Sequence, residues 1–72
     1  MRIPRSVSGK QLARALEQVG YQVTRQTGSH MRLTCNEPNQ HHITIPNHDS
    51  VLSKPNHREL RENLKYHGVI SI

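Results

Sequence analysis

The chain contains no phenylalanine and no tryptophan, and only two tyrosines. Only 32% of its 72 residues are hydrophobic. That is enough for one thin aliphatic core, and it excludes a deep pocket around a large organic cofactor. Cys35 is the single cysteine, so no internal disulfide can form, which suits a reducing compartment. The first residues, MRIPRSVSGK, hold no apolar signal region, and no run approaches membrane-spanning length. The cytoplasm is the expected location. Repeats and low-complexity tracts are also absent. Residues 1–72 therefore read as one domain, with residues 1–7 as a loosely held basic lead.

Acidic residues are scarce. Five Asp plus Glu face ten Lys plus Arg, seven of them arginine, for a formal net charge of +5. A small basic domain of this kind suits nucleic acid, because cations that neutralise phosphates release condensed counterions. The same scarcity limits metal chemistry. Asp49 is the only aspartate, so neither a zinc finger nor a two-metal nuclease centre finds its ligands. His41 and His42 are adjacent on an expected strand and point to opposite faces, which prevents joint chelation. No metal and no cofactor is expected.

What is present is strongly patterned. In SGKQLARALEQVGY, Ser8 and Gln11 have capping-box spacing, and Leu12, Ala15, Leu16 and Val19 recur at helical spacing. Gly20 is placed to close a helix over about residues 9–19. Three runs of period two follow: Tyr21 and Val23; Met31, Leu33 and Cys35; Ile43 and Ile45. Turn residues separate them, so they predict an antiparallel meander. Sharing of the apolar face sets Val23 opposite Met31, Thr24 opposite His30, Leu33 opposite Ile43 and Thr34 opposite His42. Gln26, Thr27 and Gly28 are then a three-residue hairpin loop. DSVLSK is a loop. PNHRELRENLKYHG reads as a second helix with Leu60 and Leu64 inward, capped by Asn56 or Ser53 and stopped at Gly68. VISI is a tail that packs back on the core.

The predicted class is α+β, in the order α-β-β-β-α: a three-stranded antiparallel sheet with two helices on one face. The other face is wet and carries Gln22, Thr24, His30, Arg32, Thr34, His42 and Thr44. His30, where the hairpin enters its second strand, is the candidate general acid or base, since imidazole exchanges protons near neutral pH. The alternative reading is an inert strand histidine. Arg32 beside it is suited to gripping a phosphate. Ser29 lacks the partners of a hydrolase triad and is better read as a turn residue. Lys10, Arg14, Lys54 and Arg58 are further candidate phosphate contacts; the alternative is a solvated helix face.

The segments GKQLARALEQVGYQVTRQTGSHMRLT, HHITIPNHDSVLSKP and LRENLKYHGV together resemble the HicA (YcfA-like) mRNA interferase toxins. The resemblance runs from about Ser8 to Val69. It rests on a helix ending in Gly-aromatic, a Gly-Ser-His hairpin exit, a Thr-Ile-Pro-x-His strand end and a closing Leu-x-x-x-Leu helix. It implies a fold like a double-stranded-RNA-binding domain and endonucleolytic cleavage of mRNA. It also implies a HicB-type antitoxin that masks the site, the toxin being a homodimer or part of a hetero-oligomer with it. The family's essential histidine follows Gly-Ser and corresponds to His30. Metal-independent cleavage then calls for a second proton carrier, for which His48 and, further along the sheet, His42 are the candidates. Two other functions compete: a non-catalytic RNA-binding module of the same fold, and a protein whose basic face docks an acidic partner.

Overall fold

The computed structural model describes residues 3–37, 39–53 and 57–70. The element order is α1 (Gly9–Glu17), β1 (Gln22–Thr27), β2 (His30–Cys35), β3 (His41–Pro46) and α2 (Arg58–Tyr66), with sheet order β1-β2-β3. Both pairings are antiparallel. Met31, Leu33 and Cys35 of β2 and Ile43 and Ile45 of β3 point to one face. There they join Leu12 and Leu16 of α1 and Leu60 and Leu64 of α2 in one buried cluster. Both helices therefore cover the same face of the sheet, as the patterning predicts.

The capping box of α1 forms in both directions. Ser8 Oγ accepts from the Gln11 amide at 3.2 Å, and Gln11 Oε1 accepts from the Ser8 amide at 3.0 Å. The helix ends two residues before Val19, which is 50% exposed. Its buried stripe is Gly9, Leu12, Ala13 and Leu16, one residue round from the expected Leu12, Ala15, Leu16 and Val19. The reason is Gly9. Its amide donates to the His48 carbonyl at 2.8 Å, which draws the helix start against the end of β3. A Cβ at this position would collide with the Pro46 carbonyl oxygen and lie 3.1 Å from Asn47 Cα.

The β2–β3 register follows the sequence reading: Leu33 opposes Ile43 and Thr34 opposes His42. The β1–β2 register does not. Val23 opposes Leu33 and Thr27 opposes His30, instead of Val23 with Met31 and Thr24 with His30. Two features of the hairpin cause the shift. The turn is two residues, Gly28-Ser29, with only the glycine at positive φ (+53°), the pattern of a II′ turn that matches strand twist. A bulge between Val23 and Arg25 then inserts one residue into β1. Period-two counting cannot register an inserted residue.

The remaining chain is more tightly held than its composition suggests. Val7, in the lead expected to be loose, is buried, and its carbonyl accepts from the Val51 amide at 3.1 Å. Val51 and Leu52, in the loop after β3, are among the least exposed residues of the protein. Arg61 is committed to this loop, donating from Nη1 to the Leu52 carbonyl at 3.2 Å. Gly68 (φ +72°) ends α2, and Val69 and Ile70 fold back into the core. The proposed Asn56 cap lies outside the described residues. The N-cap position is His57, which makes no side-chain cap hydrogen bond.

At the end of the sheet away from the hairpin, four rings stack in sequence. Tyr21 Oη donates to His41 Nε2 at 2.6 Å, and His41 Nδ1 donates to the Asn39 carbonyl at 2.7 Å. His41 and His67 stack at 3.8 Å, and Tyr66 meets His67 edge-on at 5.0 Å. Desolvation, then the charge of His41, lowers the His67 pKa from its ordinary 6.5; burial, then Cys35, raises that of Tyr21.

Two stability predictions follow from this packing. Gly9→Ala gains about 1 kcal/mol of helix propensity but forces the helix off β3, an overpacking cost of about 1–3 kcal/mol or more. The net effect is a lower Tm, by about 4–8 °C per kcal/mol lost; a higher Tm would show that the contact is absent. Because the folded state binds a proton on His67 less readily than the unfolded chain does, His67 favours folding above pH 6.5. That contribution is lost as the pH falls through the lowered His67 value. Thermal melts from neutral into acid should show a falling Tm, and His67→Gln should flatten the fall.

Candidate active site

His30 is the first residue of β2, directly after the Gly28-Ser29 turn. It opposes Thr27 on one side and Pro46 on the other, so three strands fix its backbone. The Asn47 amide donates to the Ser29 carbonyl, which carries the ladder one residue past the strand and clamps the turn. Ser29 Oγ lies 3.5 Å from His30 Nδ1, at the limit of a hydrogen bond. The contact involves Nδ1 and not Nε2.

The bulge has a direct consequence here. Simple alternation puts Arg25 on the apolar face with Val23. The inserted residue turns it over, and Arg25 opposes Arg32 across β1 and β2. Arg25, Thr27, His30, Arg32 and Thr44 line one shallow cavity of about 160 Å³. Like charges directly opposite on a sheet are unfavourable. An anion seated between two guanidinium groups reverses the sign of that term, and a phosphate matches their donor geometry. The cavity thus sets two guanidinium groups beside an imidazole.

A second cavity, of about 330 Å³, shares His30 and Thr44 and opens where α2 runs beside the edge strand β3. His42 and Pro46 line it from β3; His57, Glu59, Leu60 and Asn63 line it from α2. His42 is held by a short polar chain. Thr24 Oγ1 and Thr34 Oγ1 lie 2.9 Å apart, and Thr34 Oγ1 lies 2.8 Å from His42 Nδ1. As with His30, the contact is made through Nδ1.

The other residues singled out from sequence are distributed differently. His48 does not line this cavity; its ring packs 5.6 Å from that of His57, which does. Lys10 and Arg14 are exposed on α1, in the helical layer across the sheet from the face that carries His30. Arg58 is exposed at the start of α2 and lines neither cavity. Lys54 lies outside the described residues. Among the described residues, no group of three or more His, Cys, Asp or Glu side chains is placed to hold a metal ion.

Two residues at the site escaped the sequence reading. His57, at the N-cap position of α2, is 8% exposed. Its signal is absent from the sequence, because burial depends on how α2 meets the loop after β3. Arg25 did leave a trace: the apolar alternation Tyr21, Val23 breaks at position 25, which is where a bulge belongs.

The family comparison covers most of this framework. A family model described as the HicA toxin of bacterial toxin–antitoxin matches residues 9–65, from the first residue of α1 to the last turn of α2. No match was found among curated proteins or among solved structures. No helix among the described residues is long and apolar enough to cross a membrane. With 57 of 72 residues matched and every element of the fold within or at the edge of the match, the chain belongs to the HicA family of toxins from bacterial toxin–antitoxin systems.

Proposed function

We propose that this toxin is an endoribonuclease that cleaves mRNA and thereby stops translation, and that a HicB-type antitoxin covers the site. The observation that supports this most directly is the Arg25–Arg32 pair beside His30. Two opposed arginines favour a bound phosphate, and an imidazole next to a bound phosphodiester can move a proton at neutral pH.

The reading is an internal transesterification. The RNA 2′-hydroxyl attacks the adjacent phosphorus and gives its proton to His30 Nε2. The phosphorus–5′-oxygen bond breaks, and the departing 5′-oxygen takes a proton from the protonated imidazole of His42. The products are a 2′,3′-cyclic phosphate and a 5′-hydroxyl, and water later returns the protons between the two rings. Arg25 and Arg32 neutralise the charge that builds on the non-bridging oxygens. His42 takes the second role rather than His48 because His42 lines a cavity with His30. Proton transfer and charge neutralisation are both supplied by side chains, so the scheme needs no metal or cofactor. Lys10, Arg14, Lys54 and Arg58 act, if at all, as outlying contacts to the RNA backbone.

Incubation with a long RNA in excess chelator tests this. His30→Ala should lower the cleavage rate by about 10²–10⁴-fold, the usual contribution of a positioned acid or base. His42→Ala should lower it by a similar or smaller factor, and the new ends should carry cyclic phosphate. Equal cutting by parent and His30→Ala sinks the assignment, and RNA retention without cutting by either marks a binding module. Arg25→Ala and Arg32→Ala in the His30→Ala background should each weaken RNA binding. Each should also make the salt dependence of log K shallower by about 0.7, the value for one lost phosphate contact on a single strand. Unchanged slopes for both would remove the anion site.

A further inference from the structure

Tyr66 is 85% exposed, in a chain whose other tyrosine is buried. It contributes little to the core, yet it is not a loose side chain. Its ring meets His67 edge-on, His67 stacks on His41, and His41 is held by Tyr21 and the Asn39 carbonyl. The ladder fixes an aromatic face at the surface. Beside it is a hollow of about 410 Å³ lined by Asn39, Gln40, His41, Tyr66 and His67. Among the described residues, no aliphatic side chain lines it. Rings that stack and amides that donate and accept are what a nucleobase recognises, with its flat face and polar edge.

The position of the hollow is as informative as its composition. It lies between the start of β3 and the end of α2, whereas the His30 cavity lies between the end of β3 and the start of α2. Both take residues from β3, which is an edge strand of the sheet among the described residues. Five strand steps separate His41 from Pro46, about 17 Å at the usual rise. We propose that single-stranded RNA runs from the His30 site along the edge strand β3, beside α2, and stacks a base on Tyr66. This rests on RNA being the substrate, but it assigns a second contact remote from the cleavage chemistry. Sequence tolerance follows, because every base offers a face to stack.

The test uses the full chain carrying His30→Ala, so that RNA survives, and labelled unstructured RNAs of three and eight nucleotides. Fluorescence anisotropy reads affinity. Tyr66→Ala should weaken binding of the longer RNA by about 5- to 150-fold, the range for loss of one base stack. Tyr66→Phe should bind like the parent, and the three-nucleotide RNA should not distinguish the variants. The high exposure of Tyr66 makes unfolding an unlikely cause of the loss, and an unchanged Tm checks this. Equal losses for both lengths, or none for either, overturn the platform while leaving the His30 reading intact. Loss of antitoxin binding with RNA affinity untouched also overturns it, in favour of a protein contact. Failure of every variant to bind RNA overturns both readings.

Discussion

Leu33 is the point on which the geometry of this protein depends. It lies in the middle of β2, the central strand of the sheet, opposes Val23 and Ile43, and has no exposed surface. A one-residue slip of β2 would move it to solvent and bring Arg32 or Thr34 into the core. The cost of exposing the one and burying the other, several kcal/mol by transfer estimates, excludes every slip by an odd number of residues. His30 lies three residues away on the same strand and inherits that precision. In a chain without Phe or Trp, a small number of fully buried aliphatic residues must do what larger side chains do elsewhere, and the geometry around His30 depends on them.

Around this strand the molecule divides into a dry side and a wet side with different tolerances. The dry side is held by close approaches that admit little change, as at Gly9 against β3 or Arg61 against the Leu52 carbonyl. The wet side keeps polar groups in small cooperative sets: Thr24, Thr34 and His42 in one, Arg25, Arg32 and His30 in another. The first set orients an imidazole. The second concentrates positive charge where no neighbouring acid offsets it within the cavity. In the proposed function a phosphodiester completes that arrangement, offsetting the repulsion between the two arginines.

The six histidines illustrate how differently one residue type is used. His30 and His42 share a cavity on the wet side; His41 and His67 build a ring ladder at the far end of the sheet; His48, in the loop after β3, sets its ring beside that of His57 at the start of α2. In sequence, His41 and His42 are neighbours, and strand alternation already separates their roles. His48 and His57 are distant in sequence and near in space. Their proximity follows from the loop that Val51 and Leu52 anchor, which composition alone marks only as a connection.

The sequence by itself determined the element order, the core face of β2 and β3, the α1 capping box, the glycine stops and the position of His30 at a hairpin exit. Each of these is a local matter of period, cap chemistry or permitted φ, or of the strand parity that buries Leu33 and Ile43 on one face. Tertiary structure alone decided the bulge that brings Arg25 opposite Arg32, the burial of Val7 and His57, and the exposure of Tyr66 on a fixed ladder. Those features depend on which surfaces meet once the sheet twists and the helices settle on it. An inserted residue or a docking angle has no periodic signature, so no reading of the chain one segment at a time contains it.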